Sequence, residues 1–136
     1  MTPITLPYHL LIPGLICLVL LMVILIFSKR IFTSSNKKSL WVAIISFLLI
    51  YIIILGSAIF DDIYCQWDLN KYDLNMNGIF EDNEINPEQE AAFQRLINDT
   101  GRNFAIFTGL IISVVLSSVI FLIGLGFKKY RSLKNE

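Results

Sequence analysis

The chain has 136 residues, 55% of them hydrophobic, and a mean hydropathy of +0.66, which is too apolar for an ordinary soluble domain of this size. Eleven bases balance eleven acids, and the bases form short clusters beside apolar runs rather than a stripe with interleaved aromatics, which excludes a nucleic-acid-binding surface. The balance hides an asymmetry: ten of the eleven acids lie between Asp61 and Asp99, and nine of the eleven bases lie elsewhere.

Residues 8–27 form an apolar run interrupted only by Pro13-Gly14 near its start. About twenty apolar residues span a bilayer core, so the run predicts a first transmembrane helix. It lacks a basic leader and a small-residue cleavage site, and is not read as a removable signal. Pro13 is expected in the first turns or at a kink that neighbouring helices tolerate. His9 is the one histidine, and an interfacial hydrogen-bonding role suits it better than ligation or proton transfer. Residues 28–39 carry Lys29, Arg30, Lys37 and Lys38 with no acid, so this connection is expected on the cytoplasmic side. Residues 1–39 thus hold the first span and a basic loop.

Residues 40–60 predict the second span, with Trp41 as an interfacial anchor and Asp61-Asp62 stopping it on the far side. Residues 61–103 are the only polar stretch long enough for a domain. They carry ten acids against Lys71, Arg95 and Arg102, a net charge of −7. Residues 63–72 are expected to continue upward as a helix with Trp67 and Leu69 on its apolar side. Further on, Asn86-Pro87-Glu88-Gln89-Glu90 places an N-cap, a proline at the first helical position and acids in the first turn. Ala92, Phe93, Leu96 and Ile97 recur at helical spacing, predicting a helix to about Asp99 that ends at Thr100-Gly101.

Residues 104–136 hold the third span, about 104–127, and a tail with Lys128, Lys129, Arg131 and Lys134. The charge pattern places the C-terminus in the cytoplasm and the N-terminus and acidic domain outside. Gly109, Ser113 and Ser117 form a small-residue stripe, suited to packing on the other spans or on another protein. Cys17 and Cys65 fall in an apolar run and in the polar segment, which excludes a disulfide framework. Cys65 is expected as a small buried residue rather than an intermolecular bridge. Asn98-Asp99-Thr100 matches a glycosylation sequon but sits too near the third span to carry weight.

Residues 73–84, Asp-Leu-Asn-Met-Asn-Gly-Ile-Phe-Glu-Asp-Asn-Glu, fill the pattern D-x-[DN]-x-[DN]-G-x5-E at every required position. A calcium ion takes six to eight oxygens, more than two side chains supply, so a chain must curl around it. The spacing assigns Asp73, Asn75 and Asn77 to loop positions 1, 3 and 5 and Gly78 to the sharp turn at 6. It gives Ile79 a carbonyl ligand at 7, Glu81 a direct or water-mediated one at 9, and Glu84 bidentate closure at 12. This stretch and its flanks resemble the EF-hand family, with Leu69 and Tyr72 at apolar positions of the entering helix. Phe80 lies where the family places an apolar residue that pairs with a second hand. The chain departs from the family in having one loop only and in Pro87, which interrupts the exiting helix.

The fold expected is therefore an all-α membrane protein, three transmembrane helices with a small helix-loop-helix extracytoplasmic domain between spans 2 and 3, and Ca2+ as its cofactor. Such a domain is below the size that folds comfortably on its own core, and the ion is a candidate staple. No span carries an ionisable residue in its interior, and no nucleophile-base constellation or phosphate loop is present, so neither an autonomous pump nor an enzyme is expected. The function expected is that of a calcium-binding accessory or regulatory subunit of a larger membrane complex. Its partners would be the lipid bilayer and other membrane subunits or a second copy. An autonomous extracytoplasmic calcium sensor is the alternative, and an oligomeric channel or transporter component built on the Gly109, Ser113, Ser117 stripe is a weaker one. The Ile- and Asn-rich composition suggests a bacterial inner membrane.

Overall fold

Where water is absent, each amide of an apolar run must find its partner within the run, and an α-helix achieves this locally. The computed structural model describes residues 4–33, 37–81 and 83–134. Its regular elements are α1 (Tyr8–Ile26), α2 (Ser28–Thr33), α3 (Lys38–Asn70), α4 (Pro87–Ile97), α5 (Thr100–Asn103) and α6 (Ala105–Lys134). Helices α1, α3 and α6 are long and apolar enough to cross a membrane. Pro13 lies inside α1, and Pro7 stands at its N-cap. Residues 34–36 and the side chain of Arg30, both part of the basic connection, lie outside the described residues.

Three boundaries differ from the sequence expectation. The connection after α1 is helical again over Ser28–Thr33, because Ser-Lys-Arg-Ile-Phe-Thr contains neither glycine nor proline to break a helical turn after Phe27. Thr100-Gly101 does not terminate a helix. Helix α4 ends at Ile97, and the Asp99 carboxylate accepts from the Arg102 amide at 2.9 Å, restarting the chain as α5. Gly101 therefore sits within a helical turn rather than at a left-handed cap. Helix α6 runs on to Lys134, since residues 128–134 contain no helix breaker and their bases suit the negative end of the helix dipole.

Helix α3 is the axis of the molecule. Its 33 residues extend about 50 Å at 1.5 Å per residue, well beyond the ~30 Å of a hydrocarbon core. The acids Asp61 and Asp62 mark where it leaves the apolar layer, and its last turns rise into the polar segment. Helices α1 and α6 pack along α3 and barely meet one another. The core between them is formed by Leu10 and Cys17 of α1, Leu48, Tyr51, Leu55 and Ala58 of α3, and Ala105 of α6.

The approach of α6 to α3 depends on missing side chains. A Cβ at Gly109 would stand 2.9 Å from Ile54 Cγ2 and 3.3 Å from the Tyr51 ring, and one at Gly124 would stand 2.9 Å from Ser39 Oγ. Ser113 is fully buried between these points, Ser117 nearly so, and the Tyr51 hydroxyl donates to the Ile106 carbonyl at 3.3 Å. The small-residue stripe is thus used up within the chain. Gly126, two residues past Gly124, differs, because a Cβ there meets nothing within 4 Å. A Gly109→Leu variant should lose about 1–3 kcal/mol of stability through overpacking, and Gly126→Leu should change it by less than about 0.5 kcal/mol. Denaturant titration in detergent micelles distinguishes the two.

Candidate metal site

The loop begins as α3 unwinds, with the amides of Lys71 and Tyr72 donating to the carbonyls of Asp68 and Leu69 at 3.4 and 3.1 Å. Short polar side chains then replace the helix ladder as backbone acceptors. Asn75 Oδ1 accepts from the Asn77 amide at 2.9 Å, and Asn77 Oδ1 accepts from the Ile79 amide at 2.7 Å, two successive Asx turns. Gly78 takes φ 80°, a left-handed conformation that favours glycine, and its amide donates to Asp73 Oδ2 at 3.1 Å. Met76 also takes a positive φ, 59°. The turn therefore carries a strained non-glycine residue beside its glycine.

Glu84 closes the loop from the other end. Its Oε1 accepts from the amides of Leu74 at 2.8 Å and Asn75 at 3.1 Å, and its Oε2 accepts from Glu81 at 3.3 Å. One carboxylate thus ties the loop's start to its finish. The Glu84 and Ile85 amides donate to the Glu81 carbonyl at 2.7 and 3.2 Å, forming a helical turn that stops at Asn86. Asn86 is extended and accepts from Glu88 and Gln89 at 3.0 and 2.8 Å, starting α4 with Pro87 in its first turn.

The six residues expected as ligands have distinct environments. Asp73 and Glu84 are each only 5% exposed, whereas Asn75, Asn77, Glu81 and the Ile79 side chain are exposed. Asn75, Glu81 and Glu84 line one open cleft together with Leu74 and Asn83. Asp73, Asn77 and Ile79 are not part of that lining. Among the described residues no three His, Cys, Asp or Glu side chains converge as a metal-holding group. One atom is nevertheless unsatisfied: Asp73 Oδ1 is buried and accepts no hydrogen bond. A buried carboxylate oxygen without a donor costs free energy until a donor or a cation meets it. The surrounding donors are oxygens only, a set that suits a hard cation.

A second constellation, absent from the sequence expectation, fastens the polar segment to α3. Arg102 is 6% exposed. Its Nη2 donates to the Leu96 carbonyl, its Nη1 reaches the Asp61 carbonyl at 3.5 Å, and its Nε lies 3.2 Å from Asp62 Oδ1. That last contact is out of line for a hydrogen bond and holds by charge. The other Asp62 oxygen accepts from Gln66 Nε2 at 2.8 Å. Gln66 in turn exchanges bonds with Thr5, accepting from its amide at 2.7 Å and donating to its carbonyl at 2.9 Å. Further along α3, Asp68 pairs with Arg95 of α4 at 3.2 Å and with Lys71 at 3.0 Å, and Lys71 sits 3.8 Å above the Trp67 ring. The signal for Arg102 was its sign: it is one of three bases in an acidic segment and the one nearest the third span.

Both cysteines are free. Cys17 is buried in the helix core. Cys65 is only half-buried and lines a cleft with Asp61, Gln94, Arg95, Asn98 and Asp99, rather than being enclosed.

Two variants probe these contacts. Arg102→Gln removes the buried charge and leaves Asp62 without its partner, and should cost about 3 kcal/mol in denaturant titrations followed by Trp67 fluorescence. Glu84→Gln keeps the shape but removes one acceptor oxygen. Amide exchange at Leu74, Asn75 and Glu81 should speed up by about tenfold, corresponding to one lost bond.

No family model, curated protein or solved structure matches this chain.

Proposed function

We propose that the chain is a calcium-binding integral membrane protein in which residues 73–84 form an EF-hand-like loop on the extracytoplasmic side. In this reading it acts as a small accessory or regulatory subunit of a larger membrane complex. The observation that carries the calcium reading is Asp73 Oδ1, a buried carboxylate oxygen without a donor at the first position of the ligand pattern. Asp73, Asn75, Asn77, the Ile79 carbonyl, Glu81 and Glu84 would hold the ion, with Glu84 exchanging its amide contacts for it. The ion would supply two positive charges to a segment of net −7. The sorting of charge around the three apolar helices supports an outward-facing loop.

The subunit role rests on the absence of a catalytic constellation in the sequence and on the breadth of apolar helix surface left exposed around a slim three-helix body. A second reading, an autonomous calcium sensor, is favoured by one feature. The loop begins three residues after α3, and α3 continues without a break into the apolar layer. Transport finds no such support, because the Gly109, Ser113, Ser117 stripe that a pore would need is buried in the α3–α6 contact.

Only Asp73, Glu81 and Glu84 carry charge among the side-chain ligands, so affinity in the range of about 10^-4 to 10^-3 M is expected. Calorimetric titration of the chelator-treated full chain in detergent should give that range, with the heat abolished in Glu84→Gln. Absence of heat in the wild-type chain removes the calcium reading. Mass spectrometry of co-purifying proteins with calcium and with chelator then separates the two roles: stoichiometric partners support the subunit, and a calcium-dependent change in Trp67 fluorescence without partners supports the sensor.

A further inference from the structure

Helix α6 carries glycines at 109, 124 and 126, and the first two are explained by the close approach of α3. Gly126 is not. A glycine inside a helix is less stable there than an alanine, and at this position an added side chain would meet no protein atom. What the missing side chain creates is a shallow groove of about 440 Å³ on the outer face of α6, lined by Ile123, Gly126, Phe127 and Tyr130 and almost wholly apolar. Phe127 and Tyr130 are both about 70% exposed.

The groove lies at the last turns of the apolar span, where the chain changes from lipid-like to basic. Arg131 follows Phe127 by four residues and Lys134 follows Tyr130 by four, so both stand on the groove's own helix face one turn further on. Both are exposed. Residues 128–134 contain four bases and no acid. An apolar slot that ends in paired cations matches a molecule with an apolar tail and an anionic head.

We propose that this groove binds an anionic phospholipid, one acyl chain lying across Gly126 against Ile123, Phe127 and Tyr130, and the phosphate meeting Arg131 and Lys134. Tyr130 stands at the level where aromatic side chains favour the interface. A second copy of the chain is the less suitable occupant, because parallel pairing across Gly126 would bring two basic tails together. The inference rests on the membrane-spanning reading and is independent of calcium.

The test uses the full chain reconstituted into lipid nanodiscs, with native mass spectrometry of lipid retained after release into detergent. Phosphatidylglycerol and phosphatidylcholine of identical acyl chains are the probes. The wild-type chain should retain the anionic lipid preferentially, and the preference should fall roughly fivefold for each charge removed in Arg131→Gln and Lys134→Gln. Gly126→Leu, which fills the groove and keeps the charges, should lose retained lipid of both kinds while its helix content stays unchanged. Equal retention of both lipids by the wild-type chain, or undiminished retention in Gly126→Leu, overturns the proposal. A chain dimer that is lost in Gly126→Leu also overturns it and assigns the groove to a second copy. Failure of the wild-type chain to enter nanodiscs at all would instead strike the membrane reading itself.

Discussion

Uninterrupted backbone hydrogen bonding from Lys38 to Asn70 is the constraint on which the rest of the structure depends. Because α3 does not break at Asp61-Asp62, its exposed upper turns keep the rotational register of its buried lower ones. The faces that meet α1 and α6 below therefore fix where Asp62, Gln66 and Asp68 point above. Asp62 faces Arg102, Gln66 faces Thr5, and Asp68 faces Arg95. A kink would uncouple these two levels. The polar segment is too small to enclose a sufficient core, so this register supplies the orientation that a larger domain would draw from its own packing.

The contacts fastening α4 and α5 to α3 are unequal in weight. Arg95 is largely exposed, and its pair with Asp68 is screened by water, which places it among surface bridges worth at most about 1 kcal/mol. Arg102 is buried, and removing a guanidinium from water is costly unless its donors are met. Two backbone carbonyls meet its Nη1 and Nη2, and the Asp62 carboxylate offsets its charge without a hydrogen bond to Nε. The Leu96 carbonyl belongs to the last turn of α4 and the Asp61 carbonyl to α3, so a single side chain from α5 joins three helices. The Asp99 cap on the Arg102 amide positions that side chain, which explains why the chain forms a short separate helix before α6 begins.

Features set by local chemistry were legible in the sequence, and features set by distant partners were not. The three long apolar helices follow from run length, and the start of α4 follows from Asn86 and Pro87, whose effects act within three residues. The loop's turns were also local, with Asn75, Asn77 and Gly78 each bonding within five residues. By contrast, Thr5 and Gln66 lie 61 residues apart and Asp61 and Arg102 lie 41 apart, and no periodicity links them. Gly101 misled because the Asp99 cap outweighed its usual role as a terminator. The spacing of residues 73–84 singled out Asp73 and Glu84, the loop's two buried acids, but not the backbone amides that Glu84 gathers, since an acid's hydrogen-bond partners depend on where the loop folds back. Nothing in the sequence around Gly126 sets it apart from other glycines of the third apolar run, whereas the open space at its Cβ exists only in three dimensions.

Residues 73–84 combine closure with an unmet need. Glu84 accepts three amides, Asp73 accepts one, and the two asparagines accept one each, so the backbone path is held before any ligand arrives. A loop ordered in advance loses less conformational entropy on binding than a mobile one. Against that order stand the positive φ of Met76 and the donorless Asp73 Oδ1, each costing on the order of 1–3 kcal/mol. A species that satisfies Asp73 relieves the second cost only in the folded loop, and so stabilises that loop in proportion to RT ln(1 + [L]/Kd). Asp73 lies three residues beyond the end of α3, and two of the three amides that Glu84 holds follow directly after it. Stabilising the loop therefore resists fraying of the α3 C-terminus first, near the turn where Asp68 pairs with Arg95 of α4.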